Sequence, residues 1–416
     1  MSRTSSERVP LLSRPLASYY LVLGSTMLLL ALGLVMVLSA SSVTSYAESG
    51  SSFSIVTRQA TWAAVGVPTF YVVSRVPTRY FRALGYPLLI ASIALLMLVP
   101  LIGKSVFGAT RWIDLGPIQI QPSELAKLGM LLWGADLFAR KQRLLGEWRH
   151  LLVPFLPVLM LVVLLVMLGN DLGSTLVLLI LGFSLLWIVG APGRIMGILA
   201  AAGLAGVTML ALVEPYRLRR VTAFLHPERD PSGASYQVIQ GLYGLASGRW
   251  FGVGLGASRQ KWQYLPNPYT DFIFSIIGEE LGLIGCLAVL LLFGAMAYAG
   301  VRIARRATDP FSRLVAGAVT TWMLGQAIIN MAAVTTLLPV TGITLPLVSF
   351  GGTSLVITLF ALGMLAGVAR REPGAAQALA ARGTLVARLR DRAARERPEP
   401  SARRAAPVTV AERSGI

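Results

Sequence analysis

The sequence predicts an all-α, polytopic membrane protein with about ten transmembrane helices and one long extracytoplasmic loop between the seventh and eighth. Three observations carry this reading. First, 55% of the 416 residues are hydrophobic and 13% are charged, with a mean hydropathy of +0.68; a soluble chain of this length needs far more polar surface. Second, apolar stretches recur near 18–40, 59–77, 80–101, 122–139, 151–169, 172–190, 194–213, 271–301, 313–337 and 345–369, and a run of about 20 such residues spans a bilayer as a helix. Third, much of the +18 net charge lies in short interhelical loops and a basic tail, which fits membrane topology and not nucleic-acid binding. The single cysteine, Cys286, excludes an intrachain disulfide, and two histidines, His150 and His226, argue against a His-rich metal site or a Ser-His-Asp triad.

The chain divides into a cytoplasmic N-terminal segment (1–17), a membrane domain (18–370) with its long loop at 214–270, and a basic cytoplasmic tail (371–416). The first apolar run follows Arg3, Arg8 and Arg14 and is longer than a signal-peptide core, so it reads as a retained helix. Lys and Arg concentrate on the cytoplasmic side. Arg75, Arg79 and Arg82 lie between spans two and three, and Arg140, Lys141, Arg143 and Arg149 between four and five. Arg302, Arg305, Arg306 and Arg313 lie between eight and nine, with Arg370 and Arg371 after ten, so both termini are expected inside. The tail reads either as a basic amphipathic helix on the inner leaflet or as a disordered, solvated segment.

The 214–270 loop breaks the charge rule. It carries Arg217, Arg219, Arg220, Arg229, Arg249, Arg259 and Lys261 on the outer side, as if to meet something anionic there. Singly, each arginine is a headgroup anchor. Together, Arg217, Arg219 and Arg220 form a candidate clamp for pyrophosphate, which suits the planar guanidinium fork. Asp271 follows Pro266, Pro268 and Thr270 and opens span eight. It is either an acid placed against the helix dipole, with Thr270 as cap, or a general base, which has to be ionised and within hydrogen-bond reach of a hydroxyl.

Other ionisable groups sit inside spans. Pro122 suits a first helical turn, and Glu124 with Lys127, three apart, pair along one face of span four. Such groups usually face a cavity or the bundle interior, and we read them, with Arg111, as cavity lining. Asp171 in Gly169-Asn170-Asp171-Leu172-Gly173 lines the same space or caps span six. On an ideal helix Glu279 is roughly 80° from Asp271 and Glu280 faces nearly the opposite way, so of the two only Glu279 can share the cavity, and pairing with a basic residue of another helix is its first expected role. The Pro346, Gly351 and Gly352 breaks at the outer end of span ten either line a cavity or pack helices closely through small residues; packing is the first expectation.

These segments resemble the FtsW/RodA (SEDS) family. The matching pieces are 108–113, 121–127, 171–173, 216–230, 252–256, 264–282 and 338–354, and with the ten-span pattern they cover roughly 15–370. The stretches Ile277-Gly278-Glu279-Glu280-Leu281-Gly282 and 342–347 resemble the septal, cell-division branch more than the elongation branch. The resemblance implies a large-cavity membrane fold in the bacterial cytoplasmic membrane at the division septum. It implies polymerisation of lipid II onto an undecaprenyl-pyrophosphate-linked glycan, with Asp271 as the catalytic residue. A class B penicillin-binding protein, other divisome proteins and membrane lipids are the implied partners. No cofactor is required by this reading; Mg²⁺ or another divalent cation is compatible with it. One departure stands out: Tyr269 occupies a position where the family commonly has histidine. A lipid II flippase and a non-catalytic scaffold are the competing functions.

Overall fold

The computed structural model describes residues 16–106, 109–114, 116, 119–213, 218, 222, 224, 226, 233, 235–375 and 377–378. The N-terminal arginines, the cluster Arg217, Arg219 and Arg220, and the tail beyond 378 lie outside the described residues. The helices are α1 (Ala17–Ser49), α2 (Ser54–Val73), α3 (Thr78–Ile102), α4 (Pro122–Arg140), α5 (Trp148–Leu152) and α6 (Phe155–Leu168). They continue as α7 (Leu172–Val189), α8 (Gly193–Val213), α9 (Tyr236–Ser247), α10 (Ile273–Arg306), α11 (Pro310–Val334) and α12 (Thr353–Ala369). Every expected span finds a helix. Six are long and apolar enough to cross a membrane, and two shorter apolar helices, Gly193–Met209 and Thr353–Ala369, join them. α2 and α4 complete the ten.

Local chemistry explains the boundaries that differ from expectation. Span five is split: Pro154 has no N–H to donate and drives the preceding Val153 to extended backbone (φ −105°, ψ 128°), leaving α5 and α6. Span ten starts late. Residues 338–350 run through Pro339 and Pro346 without helix, and α12 begins only after Gly352. The connection before α4 forms a small antiparallel sheet of β1 (Lys104–Val106), β2 (Ala109–Asp114) and β3 (Gln119–Ile120) in the order β1-β2-β3. The long loop contains α9, which packs on α10.

α3 packs on α4, α2 on α12, and α1 and α11 on α10. Lipid tails are as apolar as leucine, so these contacts rest on close packing more than on removal of surface from water. Trp322, Phe70, Phe138, Phe155, Phe272 and Phe311 fill the interior, while Leu101, Leu291 and Trp187 face outward where lipid meets them. Gly33 of α1 admits the 345–348 segment: a Cβ there would lie 2.5 Å from the Leu347 carbonyl oxygen. At the end of the bundle rich in α3 and α11 N-termini, Asp136 is fully buried against Arg140 (2.7 Å) and Arg82 (4.0 Å).

Candidate active site

At the opposite end the elements converge on a cavity of about 480 Å³. The non-helical stretches before α10 and α12 form much of its wall, because chain without a continuous helical ladder is tolerated at membrane depth only where it is buried or lines such a space. Asp271 lies on this wall. The first helical residue of α10 is Ile273 and its N-cap is Phe272, so Asp271 sits in the turn ahead of the helix. It is neither the N-cap nor in the first turn as the sequence suggested, and Thr270 caps nothing: its hydroxyl donates to Asp271 Oδ1 at 2.8 Å and to the Asn267 carbonyl at 3.1 Å. The two prolines hold the approach in a turn. Asn330 of α11 then fixes the backbone, its Nδ2 donating to the carbonyls of Asp271 and Ile343, each at 2.7 Å.

Facing Asp271 are charged groups from three other elements. Arg111 on β2 reaches Asp171 (Nε to Oδ1, 3.8 Å), and both line the cavity. Asp171 is the N-cap of α7, accepting from the Ser174 N–H at 3.1 Å, and it also accepts from Gln121 and Ser123, each at 3.3 Å. Glu124 opens onto the cavity from the first turn of α4. Its Oε1 is 2.6 Å from Lys127 Nζ, while Oε2 has no hydrogen-bond partner among the described residues. Lys127 stands behind it, donating also to Gln326 Oε1 at 3.2 Å and lying 5.2 Å from the Trp322 ring centroid. The 338–354 segment contributes Thr344, Phe350, Gly351, Gly352 and Ser354 to the lining. A Cβ at Gly351 or Gly352 would meet nothing closer than 3.6 Å, so the close packing first expected of these glycines gives way to a cavity role.

Two candidates go elsewhere. Neither Glu279 nor Lys261 lines the cavity. Glu279 accepts from the Ser258 hydroxyl (2.5 Å) and the Arg259 N–H (2.8 Å). Its neighbour Glu280 accepts from Ser39 of α1 (2.6 Å to Oε1) and the Ser258 N–H (3.3 Å), with Lys261 Nζ 3.9 Å away. Both carboxylates are buried and tie the loop to α10 beside a break at Gly282 (φ 68°, ψ −164°). A side chain at Gly282 would collide with the loop, its Cβ 2.4 Å from the Gly252 nitrogen. The 80° helical projection relating Glu279 to Asp271 fails because Asp271 precedes the helix.

Sequence reasoning missed Arg58 and Trp62 of α2 and Gln326 of α11, which also line the cavity, and Asn330 behind Asp271. Gln326 and Asn330 are four apart in an apolar helix and share one face; polar residues so placed in a span were the available signal. Tyr269 packs edge-on against Phe350, ring centroids 6.0 Å apart, and Phe350 N–H donates to the Tyr269 carbonyl at 3.0 Å. Burial raises the Tyr269 phenol above its ordinary 10, Glu48 adds to the rise and Arg58 opposes it. Among the described residues no three His, Cys, Asp or Glu side chains group to hold a metal ion.

A family model described as Cell cycle protein, FtsW/RodA/SpoVE, matches residues 19–373. The chain is 44% identical over 372 residues to a Mycobacterium tuberculosis protein named Probable peptidoglycan glycosyltransferase FtsW, covering 89% of this chain and 71% of that one. It is 40% identical over 347 residues to Stage V sporulation protein E of Bacillus subtilis, covering 83% and 95%. Among solved structures, a chain from a study of "Structural coordination of polymerization and crosslinking by a peptidoglycan synthase complex" superposes with a TM-score of 0.70 at 31% identity, covering 84% of this chain and 97% of that one. Rod shape determining protein RodA of Thermus thermophilus superposes at 0.63 with 28% identity, covering 85% and 97%. With one family model spanning most of its length and these relatives aligned along the same cavity-bearing bundle, the chain belongs to the FtsW/RodA/SpoVE family of multi-pass membrane proteins.

Proposed function

We propose that the chain is a peptidoglycan glycosyltransferase of the septal, FtsW-like kind, polymerising lipid II at the outer face of the cytoplasmic membrane. The observation that carries the mechanism is the sharing of one cavity by Asp271, Arg58 and Arg111: an acid and two cations, beside Asp171 and Glu124 that are paired with Arg111 and Lys127, around a space large enough for sugar and phosphate. The acceptor is lipid II; the donor is lipid II or a growing strand on undecaprenyl pyrophosphate.

Asp271 takes the proton of the acceptor's 4-hydroxyl as that oxygen attacks the donor's anomeric carbon. The new C–O bond forms as the bond to the pyrophosphate oxygen breaks, and the electron pair leaves with undecaprenyl pyrophosphate, inverting the anomeric centre. The leaving group departs as an anion, so a second carboxylate to protonate it is unnecessary. Cations placed where that charge develops lower the barrier. Arg111 and Arg58 take this role from the cavity wall, joined by Arg217, Arg219 and Arg220 of the basic loop. Glu124 and Asp171, held by Lys127 and Arg111, shape the polar wall and position the sugar hydroxyls. The relative solved in a peptidoglycan synthase complex supports pairing with a crosslinking partner, a class B penicillin-binding protein at the septum.

The purified protein with that partner, supplied with lipid II, is expected to yield polymer on a gel, and Asp271→Asn to yield none while keeping its fold and partner binding. Transfer of lipid II across vesicles without polymer would instead identify a flippase.

A further inference from the structure

The end of the bundle opposite Asp271 holds a second cavity, about 380 Å³, that the glycosyl-transfer reading does not use. It lies where α3 and α11 begin and α12 ends, at the level where a bilayer's headgroups start; the arginine bias assigns this end to the cytoplasm. Arg79, Arg82 and Arg371 line it with Thr78, Thr308, Asp309, Ser312 and Glu372.

The charges do not cancel. Asp309 caps α11, accepting from the N–H groups of Phe311 and Ser312, each at 3.1 Å, and takes Arg82 at 3.0 Å. Glu372 is buried, with Arg306 at 3.6 Å. Both carboxylates are therefore matched by arginines. Arg79 and Arg371 are left over: among the described residues neither is placed in an ion pair. Among the described residues Arg79 donates to the Tyr80 hydroxyl, at 3.2 Å, and Arg371 to the Val76 carbonyl. Partial burial and the neighbouring Arg370 push the Arg371 guanidinium below its ordinary range, against a smaller opposing pull from Asp309. Thr78 and Arg79 form the first turn of α3, whose N-cap, Pro77, offers no side-chain acceptor. Two spare guanidiniums and an uncapped first turn form a receptor for an oxyanion, and basic pockets between spans at this level take lipid headgroups.

We propose that this notch binds a phosphate group, supplied by the headgroup of an anionic inner-leaflet phospholipid, between Arg79 and Arg371. The paired Asp309 and Glu372 repel extra negative charge, so a singly charged phosphodiester fits better than a doubly charged phosphate monoester.

The test is titration of the detergent-purified full chain with phosphatidylglycerol, read by native mass spectrometry. Each basic group near an anionic lipid contributes roughly 5-fold in affinity, so Arg79→Gln/Arg371→Gln is expected to bind about 25-fold more weakly, while Arg143→Gln, in an exposed loop, binds as wild type. If the double variant fails to fold, the single variants read the same quantity at about 5-fold each. Inorganic phosphate in a parallel arm separates the sources. Displacement of the lipid only at high phosphate supports a headgroup site. Tight phosphate binding that excludes the lipid overturns the lipid assignment, and equal lipid retention by wild type and double variant overturns the site.

Discussion

Replacing Lys127 by methionine tests whether the acid on the cavity wall is held by its buried partner. The two side chains are 2% and 6% exposed and 2.6 Å apart. Breaking a buried pair by deleting one member costs about 3–5 kcal/mol, because the survivor keeps its desolvation penalty without its counter-charge. Here the lower end applies. Glu124 borders the cavity, where water can reach part of the carboxylate, and Gln326 Oε1 keeps the Trp322 N–H as a donor at 3.0 Å. The expected loss for Lys127→Met is thus about 3 kcal/mol, with a similar loss for Glu124→Gln. The double variant leaves no orphan charge and is expected within about 1 kcal/mol of wild type. Equilibrium unfolding in mixed micelles, followed by tryptophan fluorescence, measures all three. A double variant as unstable as the singles, or a Lys127→Met indistinguishable from wild type, would refute the reasoning.

Three further outcomes follow from the same geometry. Ser258→Ala deletes a charge-assisted bond to buried Glu279 and is expected to lower unfolding stability by about 1.5–3 kcal/mol, with Ser258→Thr restoring most of it; identical unfolding of Ser258→Ala and wild type would discount the tie between loop and α10. Asn330→Ala leaves the carbonyls of Asp271 and Ile343 without their shared donor and is expected to reduce turnover more than lipid II affinity, measured by separate rate and binding titrations. Tyr269 has a raised folded pKa, so its phenol stays protonated in the native state while the unfolded chain ionises near pH 10. Stability is unaffected below that pH and declines above it; loss of a late-ionising component in Tyr269→Phe during ultraviolet titration checks the assignment.

Much of the bundle was legible because apolar length is a local property: the runs that became α1, α3, α7 and α11 announce themselves by composition, and Pro122 marks the start of α4. The break at Pro154 was equally local and could have been read from its sequence. The break at Gly282 was not, since it exists to admit Gly252 from a distant loop. The small sheet escaped notice because its strands are too short to show alternation. In the site, Asp271, Asp171, Arg111 and Glu124 stood out as charges at the edges of apolar runs, and the fold brings them to one space. Glu279, two turns inside its span, left both a cavity role and a pairing role open; packing against Ser258 and Arg259 turns it away from the cavity. Arg58, the one charged residue of α2, belongs to no cluster in the sequence and so gave no signal, although it lines the same cavity as Asp271.

The most direct test of the central claim is the turnover of lipid II at saturation by the partnered enzyme, wild type against Asp271→Asn, with lipid II binding measured alongside. A general base contributes roughly 10²–10⁴-fold, so turnover should fall by at least about 100-fold while the dissociation constant stays within a factor of about three. Turnover within twofold of wild type would contradict the account, for the carboxylate would then not be what removes the proton.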